Sequence, residues 1–304
     1  MSQPRAGTRA AELRKQLLRI SRTRREDFQV TLSRYGVERL LYRLSRSRSV
    51  DLFILKGAIL VGTWAAIPHR ATRDVDFLGL GEAAPERLVA AFRELAGADG
   101  GDDAIVFDPE SVRAEGIRED DRYGGVRLRM TANFGGAVVP VQVDIGFGDA
   151  VEPAAEWMDF PTLLELPVPR IRAYTRYSVV SEKLEAIVAL GMLNSRMKDF
   201  YDLWVLSRQF DFDGAKLATA IRATFDRRRT PLPAEVPPAL GEEFFGDPAK
   251  QGQWRAFAAR GQLRDSNVGL EEAVLGVRTF AWPVMAALLA GAPPRSWPSG
   301  GPWG

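Results

Sequence analysis

The chain has 304 residues, enough for roughly two domains and a sizeable core. Hydrophobic residues make up 46% and charged residues 26%, which excludes a wholly disordered, collagen-like or coiled-coil chain. With no cysteine and one histidine, His69, there is no disulfide framework, zinc–cysteine site, thiolate nucleophile or iron–sulfur cluster, and a serine–histidine triad or multi-histidine metal site would need everything to converge on one ring.

Residues 8–47 read as helical, with apolar stripes at Leu13, Leu17, Leu18, Ile20 and at Val30, Leu32, Val37, Leu40, Leu41, Leu44, and an interruption at Tyr35-Gly36. The net charge is only +2, yet residues 1–50 hold 13 Arg or Lys against four acids, a local balance of +9. That arm suggests an anionic partner, nucleic acid first; a solvated arginine-rich helix face is the plainer alternative. No signal peptide opens the chain and no run of 18 apolar residues follows, so no membrane span and a cytoplasmic location are expected.

Residues 51–66 are mostly apolar and read as buried, with Gly57 and Gly62 inside. Thr72 to Leu80 alternates and reads as a half-buried strand. Glu86 to Ala96 reads as a helix closed by Gly97. Strands are expected at 104–107, 111–115, 125–134 and 137–147, the last two joined by a tight hairpin at Gly135-Gly136. Residues 153–172, with four prolines, read as a connector. Helices follow at 178–192, 199–210, 214–227, 249–264 and 269–290, with a proline-rich loop at 231–238. The low-complexity tail from Gly291 reads as mobile. The expected division is therefore 1–160 for basic helices plus an α/β core, 161–290 for a helical domain and 291–304 for a flexible tail.

Several residues could carry chemistry. On a strand Thr72, Asp74 and Asp76 would share one face. Paired carboxylates repel unless a divalent cation such as Mg²⁺ lies between them; two solvated acids on an exposed strand is the alternative. Asp144 alternates with Val141, Val143 and Ile145, and if its strand neighbours that of Asp74 and Asp76, three carboxylates converge, as suits metal-assisted phosphoryl or nucleotidyl transfer. Otherwise it is an exposed acid on an edge strand. Lys56-Gly57 offers a cation and a close backbone approach to a phosphate, though no Walker loop is present. Lys183, Asp199 and Asp202 lie on the helices at 178–210; the two acids, three apart, share a helix face or simply cap its first turn, and Lys183 reads from its position alone as a solvated lysine sooner than a triphosphate ligand. His69 reads as incidental, and the seven tryptophans as core or interface anchors.

Four blocks in fixed order, Phe53-Ile54-Leu55-Lys56-Gly57-Ala58, Arg70-Ala71-Thr72-Arg73-Asp74-Val75-Asp76, Ser181-Glu182-Lys183-Leu184-Glu185-Ala186 and Asn194 to Leu203, resemble the AbiEii/AbiGii family of nucleotidyltransferase-like toxins, over roughly residues 27–210. The resemblance implies an α+β chain: a polymerase-β-like mixed sheet with flanking helices, followed by an all-helical C-terminal half. It implies catalytic roles for Asp74, Asp76, Lys183 and Asp199, metal ligation by Asp74, Asp76 and Asp144, and nucleotide contacts from Lys56, Gly57, Thr72 and Lys183. It further implies Mg²⁺, a nucleoside triphosphate substrate, an RNA acceptor (tRNA in some members) reached through the basic arm, and a separate cognate antitoxin. The expected activity is transfer of a nucleoside monophosphate to an RNA 3′ end, blocking translation. The alternatives are a nucleotide-binding module without catalysis, or transfer of a nucleotidyl or phosphoryl group to a protein side chain. The chain departs from the usual nucleotidyltransferase Gly-Ser signature, since Ala58 follows Gly57, and it carries Tyr177 where the family pattern suggests glutamate.

Overall fold

The computed structural model describes residues 6–65, 74–119, 123–260, 268–292 and 294–304. Thr72, Arg73 and His69 lie outside the described residues. The chain forms two compact units.

The first unit comprises Met1–Thr63, Thr72–Gly148 and Glu156–Ala173. It opens with two helices, α1 (Ala6–Arg24) and α2 (Phe28–Ser45). Asp27 starts α2 by accepting the Gln29 amide at 2.6 Å. The interruption expected at Tyr35-Gly36 does not occur, and both residues are buried within the helix. Gly36 is there for contact: a Cβ would come within 2.9 Å of Val139 on the sheet beneath. The apolar run splits into β1 (Phe53–Lys56) and α3 (Ala58–Trp64), turning at Gly57 with φ +79°. Then come β2 (Val75–Gly79), α4 (Pro85–Gly97), β3 (Ile105–Phe107), β4 (Arg113–Glu119), β5 (Tyr123–Phe134) and β6 (Ala137–Phe147). The proline-bearing connector turns out to supply two more strands, β7 (Glu156–Asp159) and β8 (Arg170–Ala173). The unit therefore runs on to Ala173 rather than ending at 160, because β8 pairs parallel with β1.

The sheet has eight strands in the order β3-β5-β6-β2-β1-β8-β7, with β4 also pairing with β5. It is mixed: β2 runs parallel to β6, and β1 parallel to β8. Alternation gives it two unlike faces. Val139, Val141, Val143 and Ile145 of β6 point inward and are buried, and Gly36 of α2 lies against Val139 and Val141. Phe53, Phe77 and Phe92 of α4 cluster on this inner face at centroid distances of 5.5–5.6 Å. The other face carries the polar residues.

The basic arm is partly consumed by the fold. Buried Arg39 and Arg43 both pair with buried Asp103, at 3.3 and 2.8 Å. Glu38 accepts the Leu163 amide at 2.6 Å, and burial raises its carboxyl to about 7. Arg9, Arg34 and Arg48 also hold ion pairs. Arg14, Lys15, Arg19, Arg22, Arg24 and Arg25 are exposed. Because α1 packs on α2, these cations lie on the helical side of the sheet.

The second unit comprises Trp64–Ala71, Asp149–Ala155 and Tyr174–Gly304. Its helices are α5 (Arg176–Leu190), α6 (Met197–Gln209), α7 (Gly214–Arg228), α8 (Glu242–Gly246), α9 (Pro248–Arg260) and α10 (Leu270–Ala290). By length and composition α10 could cross a membrane; here Val274, Val277, Phe280, Ala281, Val284 and Met285 are buried inside the unit, as in a core helix. The segment expected to be a flexible tail is docked. Its strand β10 (Ser296–Trp297) pairs with β9 (Phe212–Asp213). Trp297 is 4% exposed and donates to the Ser207 carbonyl at 2.7 Å, while Trp303 stacks on Phe280. Two aromatic anchors outweigh the entropy of the glycines and prolines around them.

Candidate active site

Strand pairing assembles one row of ionic side chains across five strands on the outer face of the first unit. Lys56 of β1 stands opposite Asp76 of β2, Asp76 beside Asp144 of β6, Asp144 opposite Arg127 of β5, and Arg127 opposite Glu115 of β4. The charges run +, −, −, +, −. Two carboxylates sit side by side in the middle with a cation at each flank.

Each position has a local cause. Val75 and Phe77 are buried on the inner face, which turns Asp76 outward. Asp74 immediately precedes β2 and is exposed. Gly57 follows Lys56 in a left-handed conformation, and a Cβ there would overlap the Asp76 carboxylate. Any other residue would displace Asp76 as well as strain the turn. Gly57 thus earns its place by making room for a carboxylate.

Arg127 holds both oxygens of Asp144, at 2.8 and 2.7 Å. The paired hydrogen bonds to Asp144 raise the guanidinium above its ordinary value, with Asp74 and Glu115 adding to the field. Gln142 also reaches Asp144, at 3.4 Å. Sequence reasoning missed Arg127. The signal was present, because the two-residue turn at Gly135-Gly136 sets the register that faces Arg127 with Asp144.

Among the described residues, no group of three or more His, Asp or Glu side chains is arranged to hold a metal ion. Asp74 and Asp76 present hard oxygen donors of the kind Mg²⁺ takes. Asp144 is beside Asp76, with its oxygens engaged by Arg127.

A second cluster lies within the second unit. The Lys183 ammonium on α5 sits 2.7 Å from Asp199 and 2.8 Å from Asp202 of α6, and both aspartates are fully buried. Their spacing of three puts both on one helix face, and that face meets Lys183. Arg196 Nε adds a contact to Asp199 at 2.7 Å. Burial pushes the Asp199 carboxyl up, but Lys183 and Arg196 overcome it and hold the group below the usual carboxylate range. The approach to α6 is fixed by Asn194, which accepts the Arg196 amide at 2.7 Å, while Lys250 donates to the Asn194 carbonyl at 2.8 Å.

The same unit holds a network that sequence reasoning did not single out. Arg228 of α7 bridges Asp149, Glu182 and Glu185 at 3.1, 3.6 and 2.8 Å. Tyr174 donates to Glu182 at 2.8 Å. The Ser-Glu-Lys-Leu-Glu block on α5 therefore feeds two charge networks, with Lys183 in one and Glu182 and Glu185 in the other.

Comparison with known proteins follows the same lines. No curated protein matches the sequence. A crystal structure of a candidate nucleotidyltransferase from H. pylori aligns with a TM-score of 0.50 at 14% identity, covering 87% of this chain and 98% of that one. At this identity the likeness speaks for the fold alone. JHP933 from Helicobacter pylori aligns with a TM-score of 0.47 at 14% identity, over 87% of this chain and 95% of its own, too distant to bear on the fold. The model of the nucleotidyl transferase AbiEii toxin family, of type IV toxin–antitoxin systems, matches residues 39–282, a span that holds both charge clusters. The chain is therefore a nucleotidyltransferase of the AbiEii toxin family.

Proposed function

We propose that this toxin transfers a nucleoside monophosphate from a nucleoside triphosphate to the 3′ end of an RNA of the tRNA class, in the cytoplasm, and so blocks translation. The observation that carries the reading is the outer-face row, in which Asp76 and Asp144 lie side by side between Lys56 and Arg127. Like charges on neighbouring strands destabilise a sheet, so the arrangement suits a site that works on a cation and a polyphosphate.

In this reading Asp74 and Asp76 would hold Mg²⁺, with Asp144 beside Asp76 as the third carboxylate of the site. Bound there, Mg²⁺ would neutralise charge on the phosphates during in-line displacement. Lys56 and the backbone at Gly57 contact the triphosphate, with Thr72 beside them in sequence. The RNA 3′-hydroxyl forms the new bond to the α-phosphorus, and the bond to the β-phosphate bridging oxygen breaks. Pyrophosphate leaves, and the hydroxyl proton passes to a carboxylate of the row. Roles for Lys183 on phosphate and Asp199 in positioning rest on the family resemblance. The basic arm is the proposed grip on RNA, through the exposed cations of α1. The family implies a cognate antitoxin as a further partner.

The test supplies four labelled nucleoside triphosphates one at a time, with total tRNA and Mg²⁺, to the wild type and to Asp76→Asn. The expected result is label in RNA from the wild type alone. Label on protein, or equal labelling by the variant, would overturn the proposal.

A further inference from the structure

The outer face does not end at the ionic row. Toward the Gly135-Gly136 turn the next row holds Gln142, Arg129 and Arg113, and a later one holds Val138, Asn133 and Val106. Pro140 and Thr131 pair between them. Val138 is 64% and Val106 69% exposed, so this end of the face is uncovered. From Asp144 to Val138 the strip runs six residues, about 20 Å of strand.

Its chemistry is specific. Arg129 and Arg113 are exposed. Glu115 pairs with Arg129, and Arg113 donates to the Glu110 and Val112 carbonyls, bonds that leave its charge without a carboxylate partner among the ion pairs of the described residues. Gln142, Asn133 and Thr131 add amides and a hydroxyl. The apolar groups, two valines and a proline, are too few and too scattered for a protein interface core. Beyond the turn, Ala10 of α1 packs against Gly135. From there Lys15, Arg19 and Arg22 follow at helical spacing on exposed positions.

Resting on the reading above, we propose that this strip is the track of the acceptor: the single-stranded 3′ segment of an RNA lies along the open face, with Arg129 and Arg113 on its phosphates, and leads from the carboxylate row over the hairpin turn to the cations of α1. The placement explains how a basic arm on the helical side of the sheet can serve carboxylates on the other side. Single-stranded ends are the RNA elements whose backbone and base edges are open to side chains.

The experiment compares the wild type, Arg113→Gln/Arg129→Gln and Val138→Glu, with Arg87→Gln as a charge-loss control away from the strip. Steady-state transfer to tRNA is measured against RNA and against nucleotide concentration, at several salt concentrations. Direct RNA affinity is read by fluorescence anisotropy on the same variants carrying Asp76→Asn. For the double variant the expected result is a rise of about tenfold or more in RNA KM, with a salt slope shallower by roughly 0.7 for each lost phosphate contact. The nucleotide KM, kcat at saturating RNA and melting temperature stay near wild type. Val138→Glu raises the RNA KM likewise, and the control does not. An unchanged RNA KM and salt slope in the double variant, with the wild type active on RNA, would refute the track while leaving the activity standing. A wild type that labels no RNA would fell the activity first, and the track with it.

Discussion

Replacing Lys183 with methionine should unfold the second unit at a markedly lower temperature. Its ammonium is the shared counter-ion of Asp199 and Asp202, at 2.7 and 2.8 Å, and both acids are 0% exposed. Methionine keeps much of the side-chain volume and removes the charge. Asp202 then loses this counter-ion, and Asp199 retains Arg196, itself 44% exposed. Breaking a buried ion pair from one side costs about 3–5 kcal/mol. For a unit of this size each kcal/mol moves the midpoint by about 2–4 °C, so a drop of roughly 6–20 °C is expected. Circular dichroism melts read it. Lys183→Met/Asp199→Asn/Asp202→Asn, which removes the orphaned charges as well, should recover more than half of the loss. The pH dependence has a fixed sign. Asp199 titrates below its unfolded value when folded, so its contribution is present above about pH 4 and is lost as pH falls through the folded value. The Lys183→Met protein should lose that part of the acid transition. A single variant melting within about 2 °C of wild type would refute the structural account of the cluster and leave Lys183 as a purely ligand-facing group.

Gly57→Ala should abolish nucleotidyl transfer while the melt moves by only a few degrees, since the strain of a left-handed alanine is about 1–2 kcal/mol but the displaced group is Asp76; full activity in a purified sample would show that Asp76 tolerates the shift. Glu38 is raised to about 7 by burial, so the folded state holds its proton more tightly and stability should decline as pH rises from about 4.5 to 7. Urea titrations across that window should show the decline in the wild type and a flatter profile in Glu38→Gln, which can still accept the Leu163 amide; parallel profiles would contradict it. Trp297→Ala should cost about 3–5 kcal/mol of stability, because a buried indole and its bond to Ser207 are lost, whereas a free tail would leave the urea midpoint untouched.

How far the site could be read in advance depends on how local each contact is. Alternation along 137–147 placed Asp144 on the face opposite Val141 and Val143, and the structure agrees. The hairpin turn extends that knowledge to β5: seven steps back from the pair Phe134–Ala137 come to Arg127–Asp144, so the arginine clamp was legible without a structure. The spacing of Asp199 and Asp202 likewise predicted a shared helix face, though not that Lys183 would fill it. What could not be read is adjacency between strands far apart in the chain. That β2 lies parallel beside β6 follows from the packing of the whole sheet, and no periodicity in either segment encodes it. The strands β7 and β8 were hidden for a related reason: four prolines punctuate their segment, and β8, on which β7 pairs, is itself placed by β1, more than a hundred residues earlier. The tail was misread because its glycines and prolines signal mobility locally, while its two tryptophans act through partners elsewhere.

The charge order of the outer-face row connects fold to function. Three of its four cross-strand contacts could be kept for sheet stability alone: Lys56 faces Asp76, and Arg127 faces Asp144 and Glu115, all opposite charges across neighbouring strands. The exception is the contact between Asp76 and Asp144, two like charges at matched positions on parallel strands. Alanine at either position would relieve that repulsion but also take away the acid facing Lys56 or Arg127, so the like-charge contact is the one feature of the row that cross-strand pairing does not favour. A glycine at 57, in a conformation most residues avoid, gives Asp76 its room at a further conformational cost. Two local costs converge on one carboxylate, with a cation set on either side, and that is the ground on which the row is proposed to handle a polyphosphate.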